Sequence, residues 1–165
     1  MIVLAIDPGT KPGAAVLQDG VVVRVSHDLR DIPVWQAQIL AHIPHPLPWP
    51  LVATEGQWYY GPQKKVAGEE RHVDVNDLLK LAFRAGWQLR DVQAQRYMRI
   101  PPQVWRGSSS ANKVQMQNRI KRTLTYEEKR LFVDIPQNRH GDVLDSIGIG
   151  RAALNLLGTK EYDYP

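Results

Sequence analysis

The sequence predicts an α/β domain built on a mixed five-stranded sheet that opens with an antiparallel meander. Three observations lead there. Residues 2–7 (IVLAID) form an unbroken apolar run that ends in an acid, the pattern of a strand buried on both faces. Two further short runs, 13–17 and 21–26, flank Gln18-Asp19-Gly20, a hairpin signal. Beyond them, strand-length apolar runs alternate with stretches of helical period, giving the order β-β-β-α-β-α-β-α-α.

The elements follow in turn. Pro8-Gly9-Thr10 ends the first strand. A helix is expected over 33–43 (PVWQAQILAHI), with Asp31 as cap and Pro33 in the first turn. The prolines of 44–50 (PHPLPWP) exclude helix and central strand, so this stretch is an extended connector. Leu51 to Thr54 makes a fourth strand, with Glu55 at its carboxyl end. Residues 56–72, glycine-rich, aromatic and charged, read as a long loop of the kind that usually carries function. Leu78, Leu79, Ala82 and Phe83 give 75–87 a helical period, and a fifth strand is expected around 92–97. A small-residue loop over 107–112 leads into a basic helix, 113–124, and the last helix runs from about Asp142 to Leu157. At 165 residues the chain is expected to be a single domain, 1–165, too short for two full lobes.

The hydrophobic and charged fractions, 43% and 23%, are those of an ordinary soluble globular protein. With no cysteine, disulfides and thiolate zinc sites are excluded, and a reducing interior fits. Asp7 interrupts the N-terminal apolar run and no basic leader precedes it, so a signal peptide is not expected. No apolar stretch reaches membrane-spanning length, and the expectation is a cytoplasmic protein with no membrane partner. The formal net charge is +4 and is unevenly spread. Between Asp91 and Glu127 there is no acid, while Arg96, Arg99, Arg106, Lys113, Arg119, Lys121 and Arg122 all fall in that window. Such a block is the electrostatic footprint of a nucleic-acid partner; the alternative is a solvated helix face.

Four acids stand where strands end or a helix begins: Asp7, Glu55, Asp142 and Asp145. A carboxylate at the tip of a buried strand costs several kcal/mol if left unpaired, on the order set by burying a charge. Asp7 could instead cap the turn before Pro-Gly. Asp142 and Asp145, three apart in a helical segment, share one face, although first-turn acids are also favoured by the helix dipole. If the fold brings the three segments together, the carboxylates repel one another unless divalent cations neutralise them. A metal-dependent enzyme acting on a polyanion is the first expectation.

At these residues the sequence resembles the RuvC-type Holliday junction resolvases of the ribonuclease H-like nuclease superfamily. IDPGT at 6–10 resembles that family's opening strand and first acid, and ATEGQW at 53–58 its second acidic strand followed by an aromatic. The stretch PPQVWRGSSSANKVQMQNRI is similar to its Pro-x-x-Val segment, glycine loop and Ala-x-Lys helix start, which places Lys113 on the family's lysine. HGDVLDSIGIGRAAL resembles the closing helix with two metal-binding positions. Departures exist. Trp105, with Arg106 after it, stands where the family usually has a lysine, the glycine loop is shorter, and 61–72 looks longer. Compact members of this kind are typical of phage, so a phage-type enzyme in a bacterial or phage-infected cell is expected.

The resemblance implies a ribonuclease H-like fold and a metal-dependent endonuclease that resolves four-way junctions by paired symmetric nicks. Asp7 would bridge two Mg²⁺ or Mn²⁺ ions, with Glu55, Asp142 and Asp145 completing their oxygen shells. Lys113 would neutralise charge on the transition-state phosphate, and the products would carry 5′-phosphate and 3′-hydroxyl ends. His140 could protonate a leaving group, join the metal shell, or be a solvated loop histidine. Trp58, Tyr59 and Tyr60 follow a catalytic acid, and Trp58 is expected to stack at an opened junction centre. Lys11, Arg99, Arg106 and Lys113 would contact phosphates. A two-fold substrate implies a homodimer, with 75–87 as its interface. Three rivals stand beside this reading: the same chemistry on forks, flaps or other branched DNA, an actin- or sugar-kinase-like ATP-binding domain, and a catalytically inactive DNA-binding module.

Overall fold

The structure is a computed structural model that describes residues 1–8, 10–40, 48–56, 86–87, 89–106 and 113–158. Five strands form one sheet: β1 (Ile2–Asp7), β2 (Gly13–Gln18), β3 (Val21–Ser26), β4 (Leu51–Glu55) and β5 (Tyr97–Ile100), in the order β3-β2-β1-β4-β5. The first three pair antiparallel, while β4 is parallel to both β1 and β5. The expected mixed sheet with its opening meander is therefore present. Asp19 and Gly20 both have positive φ at the β2–β3 turn, as a tight hairpin requires.

Helices cover both faces. These are α1 (Ile32–Leu40), α2 (Pro102–Arg106), α3 (Lys113–Thr123), α4 (Tyr126–Arg130) and α5 (His140–Gly158), with single 3₁₀ turns at Leu29–Asp31 and Gln137–Arg139. The two-residue period of β1 sorts its side chains. Val3 and Ala5 join Leu51, Ala53, Trp105, Met116, Ile120, Val143 and Ile147 in a core beneath α2, α3 and α5. Leu4 and Ile6 join Val52, Ile32, Trp35 and Trp49 in a second core on the other face, under α1. The continuous apolar run of β1 thus reflects burial from two sides.

The structure departs from the sequence expectation in four places. The fifth strand lies at Tyr97–Ile100 rather than around 92–97, because residues near Val92 are still turning back. Val92 N–H donates to the Leu89 carbonyl at 3.0 Å, and only Ala94, bridged to Trp49, starts the pairing. Within the connector, Trp49 is fully buried and extends the parallel pairing ahead of β4. Two short helices, α2 and α4, were not anticipated. Paired prolines hid α2, although Pro102 fits its first turn. Thr125 caps α4 in a complete capping box with Glu128, a spacing that is visible in the sequence. The expected loop over 56–72 and most of the 75–87 helix lie outside the described residues. Among the described residues, no helix is long and apolar enough to cross a membrane.

Candidate active site

Strand alternation decides which acids can meet. Asp7 and Glu55 continue the odd-numbered series Val3, Ala5 and Leu51, Ala53, so both point to the α5 face. β1 and β4 are parallel and paired up to Ile6 and Thr54, which puts the two acids at the next step of register, at the carboxyl ends. Their environment is strongly unfavourable to charge. Burial, then Glu55, Asp145 and Asp142, push the Asp7 carboxyl from 3.8 up to about 7, against the opposing pull of Lys113. Burial likewise raises Glu55, with Asp145 adding to the shift while Arg106 and Lys113 oppose it.

Helix α5 brings the other pair. Gly13 pairs with Asp7 in the sheet and lies directly beneath the first turn of α5. A Cβ there would stand 2.1 Å from the Asp142 carbonyl oxygen and 2.4 Å from its carbon, so only glycine permits this approach. Asp145 is fully buried. Its Oδ1 accepts a hydrogen bond from Gln117 Nε2 at 2.8 Å, and its Oδ2 forms an ion pair with Lys113 Nζ at 2.7 Å. Asp142 Oδ2 accepts from Arg139 Nε at 3.1 Å, and Glu55 Oε1 accepts from Arg106 Nη2 at 3.3 Å. Three of the four carboxylates thus have a basic partner, and among the described residues Asp7 has none. Burial works against the Lys113 charge, but its hydrogen bond and attraction to Asp145, then Asp7 and Asp142, carry the ammonium above its ordinary value.

The four acids singled out in the sequence and Lys113 therefore converge. Arg106 joins them through Glu55 instead of standing apart as a surface cation. Lys11 is exposed in the turn after β1. Arg99 pairs with Thr54 and so points to the opposite sheet face, away from the carboxylates. Trp58, Tyr59 and Tyr60 lie outside the described residues. His140 contacts the turn before α5: its Nε2 is 2.9 Å from the Ile135 carbonyl oxygen, and its ring packs edge-on against Phe132. Two contributors escaped the sequence reading, Gln117 and Arg139. Their spacing was a usable signal, Gln117 four residues after Lys113 and Arg139 three before Asp142 on helical segments.

The donor set suits hard divalent cations such as Mg²⁺ or Mn²⁺, since all four groups are carboxylates and their mutual repulsion is expressed in Asp7. Among the described residues no three of them form a ready-made ion cage. Glu55, Asp142 and Asp145 are instead turned onto Arg106, Arg139 and Lys113.

A scan against models of protein families finds no match, and a search of curated proteins finds none either. Solved structures do match. The fowlpox virus resolvase, solved in complex with its substrate Holliday junction DNA, aligns with a TM-score of 0.52 at 11% identity, covering 96% of this chain and 100% of its own. The two chains share a fold. RuvC of Thermus thermophilus aligns with a TM-score of 0.42 at 19% identity, covering 96% of this chain and 98% of that one. Within this fold Trp105 takes up a buried place against Gly148, where a Cβ would meet its ring at 2.9 Å. Arg106 lies with its guanidinium carbon 4.8 Å from the Trp105 ring centre and reaches Glu55.

Proposed function

We propose that the protein is a metal-dependent endonuclease that resolves four-way DNA junctions by paired symmetric nicks. The observation that best supports this reading is the convergence of Asp7, Glu55, Asp142 and Asp145, beside Lys113, at one end of a resolvase-fold sheet. The basic block over 96–122 supplies the positive surface that a polyanion needs. The fowlpox virus resolvase, similar over nearly the whole chain, was solved with its junction substrate.

The four carboxylates would hold two Mg²⁺ or Mn²⁺ ions. Ions held there would supply an activated water for in-line attack on the phosphodiester and charge stabilisation at the leaving 3′-oxygen, so that the products would carry 5′-phosphate and 3′-hydroxyl ends. The chain's own residues prepare the site. Asp7 must lose its proton before it can act as a ligand, so protons compete for the site below about pH 7. Lys113, half-exposed, is placed to neutralise charge on the phosphate. Lys11 and Arg106 would contact phosphates, Arg99 would serve a more distant arm, and Trp58, Tyr59 and Tyr60 would stack on unpaired bases. Two-fold symmetry of a junction calls for a homodimer, one site per strand to be cut, with 1–165 acting as a single nuclease domain.

The test offers purified protein a labelled four-way junction, a fork, a flap, a linear duplex and an RNA–DNA hybrid with Mg²⁺ or Mn²⁺, alongside Asp145→Asn. Paired symmetric nicks in the junction, abolished in Asp145→Asn, are the expected result. Preferential cutting of forks or flaps would move the substrate while leaving the chemistry. Absence of metal-dependent cutting of every substrate would overturn the proposal.

A further inference from the structure

Arg139 reaches three separate segments of the chain. Its Nε donates to Asp142 Oδ2 at 3.1 Å, while Nη2 donates to the carbonyl oxygens of Pro12 at 2.9 Å and His27 at 3.3 Å. Pro12 lies in the turn that follows Asp7 and directly precedes Gly13, and His27 follows β3. The arginine itself closes the 3₁₀ turn that leads into α5 and is four-fifths buried. A buried guanidinium is held by its planar fork, which fixes direction as well as charge.

We infer that Arg139 is a positioning residue for the fourth carboxylate. It orients Asp142 and clamps the turn after Asp7 onto the first turn of α5, so that Asp7 and Asp142 face each other at a set distance before a cation or DNA arrives. The inference rests on the reading of the four acids as a metal centre. Two opposing effects attend its loss. Removing its charge leaves Asp142 more negative and favours a cation, whereas removing its fork frees the carboxylate and the turn. Lysine separates them, because it keeps the charge and can keep the ion pair but cannot donate along three fixed directions.

Mn²⁺ binding to the intact protein, followed by calorimetry, is the test, with Arg139→Lys measured in the wild-type and Asp142→Asn backgrounds. Outer groups that orient metal ligands are typically worth about 10–100-fold in affinity. Arg139→Lys should therefore weaken Mn²⁺ binding by about tenfold, and lower kcat for junction cutting with KM nearly unchanged. In the Asp142→Asn background the same substitution should change affinity by less than about twofold, since the group it positions is already altered. If Arg139→Lys melts below the assay temperature, the comparison is made at a lower temperature where both proteins are folded, because Arg139→Gln would remove the charge together with the fork. Wild-type affinity in Arg139→Lys, or an equal loss in both backgrounds, would overturn the positioning role and leave the metal centre intact. A wild-type protein that binds no Mn²⁺ would overturn the metal centre and this role with it.

Discussion

The Asp7 carboxyl makes the metal-free protein less stable as pH rises, and the size of the effect follows from its surroundings. Its ionisation is moved from 3.8 to about 7, by burial first and then by Glu55, Asp145 and Asp142. Between those limits the folded chain holds a proton that the unfolded chain has released, so stability falls as pH increases through the window. Below pH 3.8 both states are protonated and nothing is lost. Above about pH 7 both are ionised and the full cost is present. At 1.36 kcal/mol for each tenfold change, a displacement of about three pH units corresponds to at most about 4 kcal/mol. For a chain of this length, 1 kcal/mol moves the melting temperature by about 2–4 °C, so the upper limit is on the order of 10 °C. Asp7→Asn keeps the shape and removes the charge. Metal-free Asp7→Asn should melt several degrees above the wild type at pH 8, with the gap closing towards pH 5. Mn²⁺ should raise the wild-type melting temperature more at pH 8 than at pH 5, and should raise the variant's far less. Thermal melts across pH 5–8, with and without Mn²⁺, measure both. Equal melting temperatures at pH 8, or a gap that does not change with pH, would refute the crowding of charge at Asp7.

Other substitutions separate the frame from the chemistry. Gly13→Ala drives a methyl into the backbone of Asp142, so it should cost about 1–3 kcal/mol by denaturant titration and cut junction cleavage at least tenfold at temperatures where it stays folded. Gly20→Ala is the control: strained by its positive φ but with nothing within 4 Å, it should lose stability alone. Glu128 is buried and accepts from the Val22 N–H at 2.9 Å and the Thr125 N–H at 2.7 Å, with Arg151 3.6 Å away. Glu128→Ala strands those partners and should cost about 3 kcal/mol, with the cleavage rate of the folded fraction unchanged. Burial raises the Glu128 carboxyl, but the two N–H donors, Thr125 and Arg151 outweigh it and hold the group below its ordinary 4.5. Its contribution is therefore present above that value and lost as pH falls below it, so wild type and variant should converge in acid.

Much of this architecture was legible because burial leaves period-two and period-3.6 marks. The β1 run, the Asp19-Gly20 turn and the strand-terminal positions of Asp7 and Glu55 were all visible, since each follows from local stereochemistry. Their convergence with Asp142 and Asp145 was legible only through the resemblance, because sheet order is a long-range property. The fifth strand was misplaced because YMRI alternates between exposed and buried positions at a sheet edge, whereas the stretch near Val92 is apolar for a different reason, its place in the second core. Arg139 and Gln117 were missed because a polar residue near an acid in sequence looks like surface. Only the packing of Pro12, His27 and Gly141 around them reveals that they are supports.

The charges of the four acids and of their basic partners do not quite balance. Four ionised carboxylates carry four negative charges, and Arg106, Lys113 and Arg139 return three positive ones. One negative charge is left over, and it falls on Asp7, the acid without a basic partner among the described residues; a proton held up to about pH 7 cancels it. Exposed ion pairs would contribute at most about 1 kcal/mol each, but here the acids are mostly buried and unpaired repulsion would be far more costly. On the two-ion reading the balance changes. Two divalent cations alone match four carboxylates, so the three bases become surplus positive charge. Arg139 stays fixed by two carbonyls, whereas among the described residues Lys113 and Arg106 each pair with one acid and on this reading would turn to a phosphate. The same two side chains would then serve in sequence, first holding the carboxylate cluster together and then meeting the anion to be cut. On that reading Arg106 and Lys113 would tie the acidic cluster to the basic surface that meets the DNA.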